Sequence, residues 1–105
     1  MKKKINFRDA QGLKQGPWEI HSKGHLLWKG FFINNKRTGY AEEYWHTGHL
    51  MFKGYFLDDK RTGYWEQGYS NGSLRGKGSY LNGNETGTWN LYDMEGTLIK
   101  VTYHH

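Results

Sequence analysis

The sequence contains no cysteine and a single proline, Pro17, among its 105 residues. The lack of cysteine excludes a disulfide framework, a thiolate metal site and a cysteine nucleophile. No apolar run of 18 residues occurs, and the basic start at residues 2–4 is not followed by an apolar stretch. We therefore expect neither a membrane-spanning segment nor a signal peptide, and we expect a cytoplasmic protein.

Aliphatic residues are scarce, whereas rings and glycines are abundant. Hydrophobic residues make up 35% of the chain and aromatic residues 17%, and there are 15 glycines. This composition predicts a thin core of large flat side chains, joined by many tight turns. The length suits one small domain, so we assign residues 1–105 to a single domain.

Positive charge is concentrated in the first part of the chain, which has a formal net charge of +5 overall. Residues 1–62 carry twelve Lys or Arg and six Asp or Glu, a net +6, whereas residues 63–105 carry a net −1. The first part therefore favours a partner with an acidic surface. A surface charged only for solubility is the alternative.

Glycine recurs with a period of 24 residues, which is the main organising feature of the sequence. Two series keep this spacing throughout: Gly24, Gly48, Gly72 and Gly96, and then Gly30, Gly54 and Gly78. A third series has spacings of 23, 24 and 24 residues: Gly16, Gly39, Gly63 and Gly87. Leucine follows the first series at equivalent positions: Leu26, Leu50, Leu74 and Leu98. Such regularity predicts an array of repeats.

Each repeat is predicted to be a β-hairpin, with strands such as 64–69 and 49–57. The pair Asn71-Gly72 predicts a primed turn, because both residues tolerate a positive φ. Alternation along the second strand separates two faces. We expect the core on the face that carries Phe32, Phe56 and Tyr80, with Gly30, Gly54 and Gly78 admitting rings from neighbouring strands.

The predicted fold is therefore all-β: a single-domain repeat array of antiparallel β-hairpins that form an elongated twisted sheet. The units are a half-repeat at 1–15 and repeats at about 16–38, 39–62, 63–86 and 87–105. An apolar closing strand is expected at 98–103. Either end of the sheet is a candidate cap or a candidate seam for a homodimer.

The sequence pattern resembles the MORN repeat: glycine, any residue and tryptophan, then an aromatic residue, a turn glycine, leucine, glycine and a final aromatic residue. The first part of this pattern appears as Gly16-Pro17-Trp18-Glu19, Gly63-Tyr64-Trp65-Glu66 and Gly87-Thr88-Trp89-Asn90. The pattern over residues 12–103 is similar to the bacterial variant of YwqK-type toxin–antitoxin proteins. The resemblance implies an elongated hairpin array and roles as protein-binding scaffold, membrane-proximal module or antitoxin. Ala41 departs from the pattern, because it replaces the tryptophan of its unit.

No motif of a known catalytic or metal site is present, so we expect no enzyme activity, no metal and no cofactor. The adjacent acids Glu42-Glu43 point to opposite faces of a strand, and Asp58-Asp59 suits a turn. His46 and His49 are three residues apart, but Ser73 and Thr97 occupy the position of His49 in later repeats. That substitution favours a solvated turn over a metal site.

Lysine and glutamate recur at equivalent positions of neighbouring strands. The series are Lys29, Lys53 and Lys77, and Glu19, Glu42 and Glu66. We interpret them as cross-strand charge pairs on a solvent-exposed face.

The predicted binding residues form two groups. A basic ridge consists of Lys36, Arg37, Lys60 and Arg61, from two nearly identical inter-repeat segments, together with Lys14 and residues 2–4. An aromatic group consists of Phe31, Tyr40, Tyr55 and Tyr64. Solubility and turn geometry are the alternative explanation of the ridge.

We expect a non-enzymatic protein-binding module, of the antitoxin, immunity or phage-encoded inhibitor kind, that covers a partner protein with an acidic surface. One alternative is a scaffold or membrane-proximal protein that binds anionic lipid. The other is a binder of an anionic, nucleotide-like ligand. We expect no specific nucleic-acid binding.

Overall fold

The computed structural model describes residues 4–105, which form nine strands and no helix. The strands are β1 (Phe7–Arg8), β2 (Lys14–Ser22), β3 (His25–Ile33), β4 (Lys36–Tyr44), β5 (Leu50–Leu57), β6 (Lys60–Gly68), β7 (Leu74–Leu81), β8 (Asn84–Tyr92) and β9 (Leu98–His104). Each strand pairs antiparallel with the next one along the chain, so the sheet order runs from β1 to β9. The predicted array of antiparallel hairpins in one elongated sheet is confirmed, with extents of 48 × 33 × 20 Å.

Two-residue primed turns connect one repeat to the next. In most repeats, the two strands within the repeat are joined by a longer loop. Both central residues have positive φ at Asn34-Asn35 (50° and 69°) and at Asp58-Asp59 (48° and 69°). A type I′ turn requires this conformation at both positions, and its twist matches that of the flanking strands.

The prediction of a primed turn at Asn71-Gly72 is wrong. Only Gly72 has a positive φ, of 96°, and its N–H donates to the carbonyl of Tyr69 at 3.0 Å. Tyr69 N–H in turn donates to the carbonyl of Ser73 at 2.8 Å, which closes a longer loop. The glycine supplies the left-handed residue that ends such a loop, and the Asn71 side chain accepts a hydrogen bond from Ser73 N–H at 3.0 Å.

Three equivalent bulges explain the glycine series at 30, 54 and 78. Lys53 pairs with Glu66 and Tyr55 pairs with Thr62, so Gly54 alone lies opposite residues 63–65. The bulge places the indole of Trp65 directly against Gly54, where an added Cβ would lie 2.1 Å from Trp65 Cδ2. A side chain is therefore excluded at this position by the ring packed against it.

The core is a row of rings on one face of the sheet, here called the core face. Its buried members are Phe32, Ala41, Phe56, Trp65, Tyr80 and Trp89. Phe56 meets Trp65 edge to face at a centroid distance of 5.1 Å, and Trp65 meets Tyr80 at 5.8 Å. These T-shaped contacts suit the ring quadrupoles. The predicted core face is confirmed at Phe32, Phe56 and Tyr80.

Ala41 leaves a gap in this row that Trp28 occupies from the neighbouring strand. A Cβ added to Gly30 would lie 2.6 Å from Trp28 Cη2 and 3.1 Å from Ala41 Cβ. In the next repeat the sizes are exchanged, because Phe52 stands at the position of Trp28 and Trp65 at that of Ala41. The small side chain of Ala41 is therefore compensated by the large ring of Trp28, which lies on the neighbouring strand β3, two residues before Gly30.

Hydrogen bonds between turns link neighbouring hairpins at both edges of the sheet. At one edge Asp59 N–H donates to the carbonyl of Arg37 at 2.9 Å. At the other edge Trp45 Nε1 donates to the carbonyl of Gly68 at 2.9 Å, and the Tyr69 hydroxyl donates to the carbonyl of Tyr92 at 2.7 Å. The repeats are thus linked by more than their strand ladders.

The described part of the predicted half-repeat covers the first long strand. The Asn6 side chain accepts a hydrogen bond from Glu19 N–H at 2.8 Å and donates to the carbonyl of Glu19 at 3.0 Å. Trp18 Nε1 donates to the carbonyl of Phe7 at 3.2 Å. Residues 5–8 therefore act as a cap for this part of β2, and residues 1–3 of the predicted half-repeat lie outside the described residues.

Candidate functional site

The four predicted ridge residues lie at one edge of the sheet but on two different faces. Lys36 and Arg37 are the first two residues of β4, and Lys60 and Arg61 are the first two of β6. Adjacent strand residues point to opposite faces. Arg37 and Arg61 lie with the rings of the core face, whereas Lys36 and Lys60 are exposed. Of the basic residues that were expected to extend the ridge, Lys2 and Lys3 lie outside the described residues.

Arg37 is held by both an ion pair and a ring. Its Nε lies 2.7 Å from Asp59 Oδ1, and its guanidinium carbon lies 4.3 Å from the centroid of Phe56. The Arg37 side chain is the main cause of the lowered pKa of Asp59, which also accepts the Arg37 backbone N–H. This arginine is positioned to stabilise the turn and the core ring.

Arg61 covers the core one repeat further along. Its guanidinium carbon lies 5.2 Å from the centroid of Trp65 and 5.4 Å from those of Phe52 and Tyr80. Lys14, at the equivalent position of β2, lies 4.9 Å from the centroid of Phe32. These cations spread over aromatic faces, where the ring quadrupole attracts them and their stems exclude water.

The four predicted aromatic residues all lie on the opposite side of the sheet, here called the outer face. Phe31, Tyr55 and Tyr64 are 46%, 49% and 47% exposed, and Tyr40 is half-buried. Tyr40 and Tyr55 are directly paired across β4 and β5, with ring centroids 5.4 Å apart. The structure therefore brings this group together on one surface; its role in binding stays a prediction.

The outer face also carries the predicted charge pairs, in a row parallel to the aromatic residues. The cross-strand register runs through Glu19, Lys29, Glu42, Lys53, Glu66 and Lys77. Lys29 Nζ lies 3.2 Å from Glu42 Oε1, and Lys53 Nζ lies 3.3 Å from Glu66 Oε1. Glutamate and lysine therefore alternate from strand to strand, which is the favourable arrangement for cross-strand pairs.

Tyrosine hydroxyls complete this charged row. Tyr40 donates to Glu42 Oε2 at 2.6 Å, Tyr44 donates to Glu42 Oε1, and Tyr64 donates to Glu66 Oε2 at 2.7 Å. Partial burial opposes ionisation of Glu42, but these hydrogen bonds and Lys29 outweigh it, so its pKa is lowered. Burial and the adjacent carboxylates raise the pKa of Tyr44 and of Tyr64 to about 12, and that of Tyr40 further.

Two clefts of the same design open between the aromatic row and the charged row. The first, of about 200 Å³, is lined by Pro17, Trp18, Glu19, Lys29, Gly30, Phe31 and Tyr40. The second, of about 190 Å³, is lined by Tyr40, Lys53, Gly54, Tyr55 and Tyr64. The first cleft lies beside Gly30 and the second beside Gly54, the glycines of two equivalent bulges, and Tyr40 forms a wall of both clefts. The bulge therefore shapes the outer face as well as the core face.

The third repeat has the backbone of the cleft without its rings. Lys77 and Gly78 occupy the positions of Lys53 and Gly54, but Ser79 replaces Tyr55 and Thr88 replaces Tyr64. The two aromatic clefts are thus lined by residues between 17 and 64, and all of these except Tyr64 lie in the part of the chain that carries the positive charge excess.

Exposed aliphatic residues at the turn edge of the outer face were not among the predicted site residues. Ile33, Leu57 and Leu81 are 59%, 62% and 59% exposed, and they occur 24 residues apart. Ile33 pairs with Lys36 and Leu57 with Lys60. Their alternation with Phe31 and Tyr55 along the strand is the sequence signal that identifies this face as apolar.

Among residues 4–105 there is no helix of the length and apolar character needed to cross a membrane. No protein-family model matches the sequence, and no curated protein matches it. The resemblance to the MORN repeat therefore stays a prediction, based on the spacing of glycine, tryptophan and the other aromatic residues.

Proposed function

We propose that this chain is a non-enzymatic protein-binding module, of the antitoxin, immunity or inhibitor kind, that covers a partner protein with its outer face. The observation that carries the proposal is the recurrence of large exposed apolar side chains at equivalent positions of that face: Phe31, Ile33, Tyr55, Leu57, Tyr64 and Leu81. Contiguous exposed apolar surface on a soluble protein marks an interaction site.

The composition of the outer face supports a protein partner. Tyrosine and phenylalanine are enriched at the centres of protein interfaces, where they bury large areas with few rotatable bonds. A paired polar row beside them, formed by Lys29, Glu42, Lys53 and Glu66, resembles the rim that excludes water from such centres. Lys36 and Lys60 add positive charge along the turn edge, which favours an acidic partner surface.

Binding of anionic lipid or of a nucleotide is less well supported. Both uses require several cations on one accessible surface. Arg37 and Arg61 are instead held against the core rings, and Lys29 and Lys53 are paired with carboxylates. Of the predicted ridge, Lys36 and Lys60 remain on the outer side.

The test is reconstitution of a complex with a partner identified by affinity capture from the source cells. We expect the purified partner to form a stoichiometric complex and to lose its own activity when it is bound. The double variant Tyr55→Ser/Leu57→Ser should weaken this complex at least tenfold, because interface anchors contribute most of the binding energy. Lys100→Ala, on exposed β9, is the control and should bind normally. Equal affinity of the double variant would refute the use of the outer face.

A further inference from the structure

The two clefts of the outer face share three features that bear on what they bind. Each has ring walls, a lysine at one end and an exposed aliphatic residue beyond the other: Phe31, Tyr40, Lys29 and Ile33 at the first, and Tyr55, Tyr64, Lys53 and Leu57 at the second. Volumes of about 200 and 190 Å³ limit each cleft to a small group. One large amino-acid side chain has a suitable size and shape.

The charges in the clefts are already compensated by groups of the protein itself. Lys29 and Lys53 lie within 3.3 Å of Glu42 and Glu66 carboxylate oxygens. A phosphate placed there would have to separate an ion pair and would also approach a carboxylate whose pKa is lowered. An uncharged apolar group avoids both costs, since it displaces water from the ring walls and leaves the pairs intact.

The separation of the clefts defines a second property of the occupant. Phe31 lies on β3 and Tyr55 on β5, two strands apart in the sheet. Neighbouring strands are about 4.8 Å apart, so the clefts are about 9.5 Å apart. In a polyproline II segment, side chains three residues apart lie on the same side and about 9 Å apart. On a helix, side chains seven residues apart lie on the same face and about 10.5 Å apart.

The turn edge defines the third property. Lys36 pairs with Ile33 and Lys60 pairs with Leu57, and both lysines are exposed, so they place positive charge beside the apolar strip. Asp or Glu beside the apolar anchors would complement these lysines and would set the orientation of the segment on the sheet.

We infer that the outer face is a two-anchor docking site for a protein segment that inserts one large apolar side chain into each cleft and places carboxylates beside Lys36 and Lys60. This inference rests on the proposed protein-binding function and names the chemistry of the partner. The anchors are three residues apart if the segment has the polyproline II conformation, or seven apart if it is helical.

The test is selection of random displayed peptides, each long enough for two helical heptads, on the immobilised protein. Counter-selection uses Phe31→Ser/Tyr55→Ser. Serine at the equivalent position Ser79 shows that this strand position accepts it. We expect the selected peptides to carry two large apolar residues three or seven apart, with Asp or Glu nearby. Replacing either apolar residue by alanine should weaken binding roughly tenfold or more.

Variants of the protein give matched controls for the same peptides. Phe31→Ser and Tyr55→Ser should each reduce the affinity about tenfold, whereas Ser79→Ala should leave it unchanged. Lys36→Ala/Lys60→Ala should reduce the affinity several-fold and weaken its dependence on salt. The variant Ser79→Tyr/Thr88→Tyr, which adds the missing rings beside Lys77, should bind peptides with a third anchor more tightly.

Three results would overturn the inference. These are peptides with a single essential anchor, peptides that bind Phe31→Ser/Tyr55→Ser equally well, and the absence of any enrichment. If a protein partner still forms a complex that Tyr55→Ser/Leu57→Ser weakens, although no two-anchor peptide is selected, the proposed function stands and the two-anchor site is wrong. If adenosine nucleotides or anionic vesicles displace the peptides, the clefts bind anions and the apolar assignment is wrong.

Discussion

Replacing Gly78 by alanine is the sharpest test of how the bulges position the core. An ideal Cβ at Gly78 would lie 2.3, 2.4 and 2.5 Å from Cδ2, Cε2 and Cγ of Trp89. Carbon atoms prefer separations of about 3.5 Å or more, so the ring or the strand must move by about 1 Å. Trp89 is 1% exposed, packs edge to face on Tyr80 at 5.1 Å and donates from Nε1 to the carbonyl of Ser79 at 3.0 Å. It has little freedom to shift.

Overpacking of this kind costs about 1–3 kcal/mol, and alanine recovers at most about 1 kcal/mol through lower backbone entropy of the unfolded chain. We expect Gly78→Ala to lower the free energy of unfolding by about 1–2 kcal/mol. With a urea dependence of about 1–3 kcal/mol per M, the midpoint falls by roughly 1 M. The measurement is urea denaturation followed by far-ultraviolet circular dichroism, which does not depend on the tryptophan signal.

Comparison with Gly30→Ala separates ring contact from any general effect of alanine. At Gly30 the nearest atoms belong to the outer edge of Trp28, at 2.6 and 2.8 Å, and Trp28 is only half-buried. We expect a smaller cost there, because this ring can move toward solvent. In a Trp89→Ala background, Gly78→Ala should cost nothing. Equal costs at both glycines, or an unchanged cost without Trp89, would refute the reasoning.

Five other substitutions test the cations, a turn and the charged row. Arg61→Ala should lower the free energy of unfolding by about 0.5–2 kcal/mol in denaturant titrations, since the guanidinium covers three rings, whereas Lys60→Ala should change it by less than about 0.5 kcal/mol. Asp59→Ala should cost about 1–2 kcal/mol, because it removes the hydrogen bonds from Arg37 and puts alanine at a φ of 69°; Asp59→Asn should recover part of the loss of thermal stability. The pKa of Glu42 is lowered in the folded protein, so Glu42 contributes to the free energy of unfolding above pH 4.5, and this contribution is lost as the pH falls through the folded pKa. In Glu42→Gln the free energy of unfolding should therefore depend less on pH in this acidic range. The pKa of Tyr44 and of Tyr64 is raised to about 12, so their contribution to the free energy of unfolding is complete below pH 10 and lost toward pH 12. Titration of tyrosinate absorbance should reveal a late fraction from both, and Glu42→Gln should move the Tyr44 part of it, but not the Tyr64 part, to lower pH, because Tyr64 donates to Glu66.

The sequence was sufficient to predict the hairpin array, because one backbone feature repeats in each unit. Gly30, Gly54 and Gly78 must accept a ring, and the positions around them alternate between faces. The period of 24 residues therefore identified both the strands and the core face at Phe32 and Phe56. The same logic placed lysine and glutamate in register across the sheet.

Turn types were harder to predict, since two kinds of turn occur in the sheet. Asn71-Gly72 matches the preferred dipeptide for a primed turn, yet the strands end at Gly68 and begin again at Leu74, which leaves too many residues for one. Asp58-Asp59 lacks glycine and still has two positive φ values, a conformation that Asp tolerates. The hydrogen bonds between Arg37 and Asp59 add to this local preference.

The positions of the basic residues also depended on where a strand begins. Reading residues 34–39 as a turn groups Lys36 with Arg37, but β4 begins at Lys36, so the two side chains lie on opposite faces. The aromatic clefts were not predictable either, because they form only where a bulge sets Gly30 or Gly54 opposite three residues. The exposed apolar strip could have been predicted, because Leu57 lies two residues after Tyr55 and therefore on the same face of the strand.

The small side chain at Ala41 has a mechanical consequence for the whole sheet. Edge-to-face contacts continue without a break from Phe56 to Trp89, and a separate set joins Trp18, Phe32 and Trp28. Between these two sets of packed rings, β4 contributes the methyl group of Ala41, whereas the equivalent residues of later repeats are Trp65 and Trp89. The sheet should therefore flex most easily at β4, and the amide hydrogens there should exchange with solvent sooner than those of β6 and β8. Tyr40, the wall shared by the two clefts, lies on this compliant strand, so bending there changes the distance between the anchors.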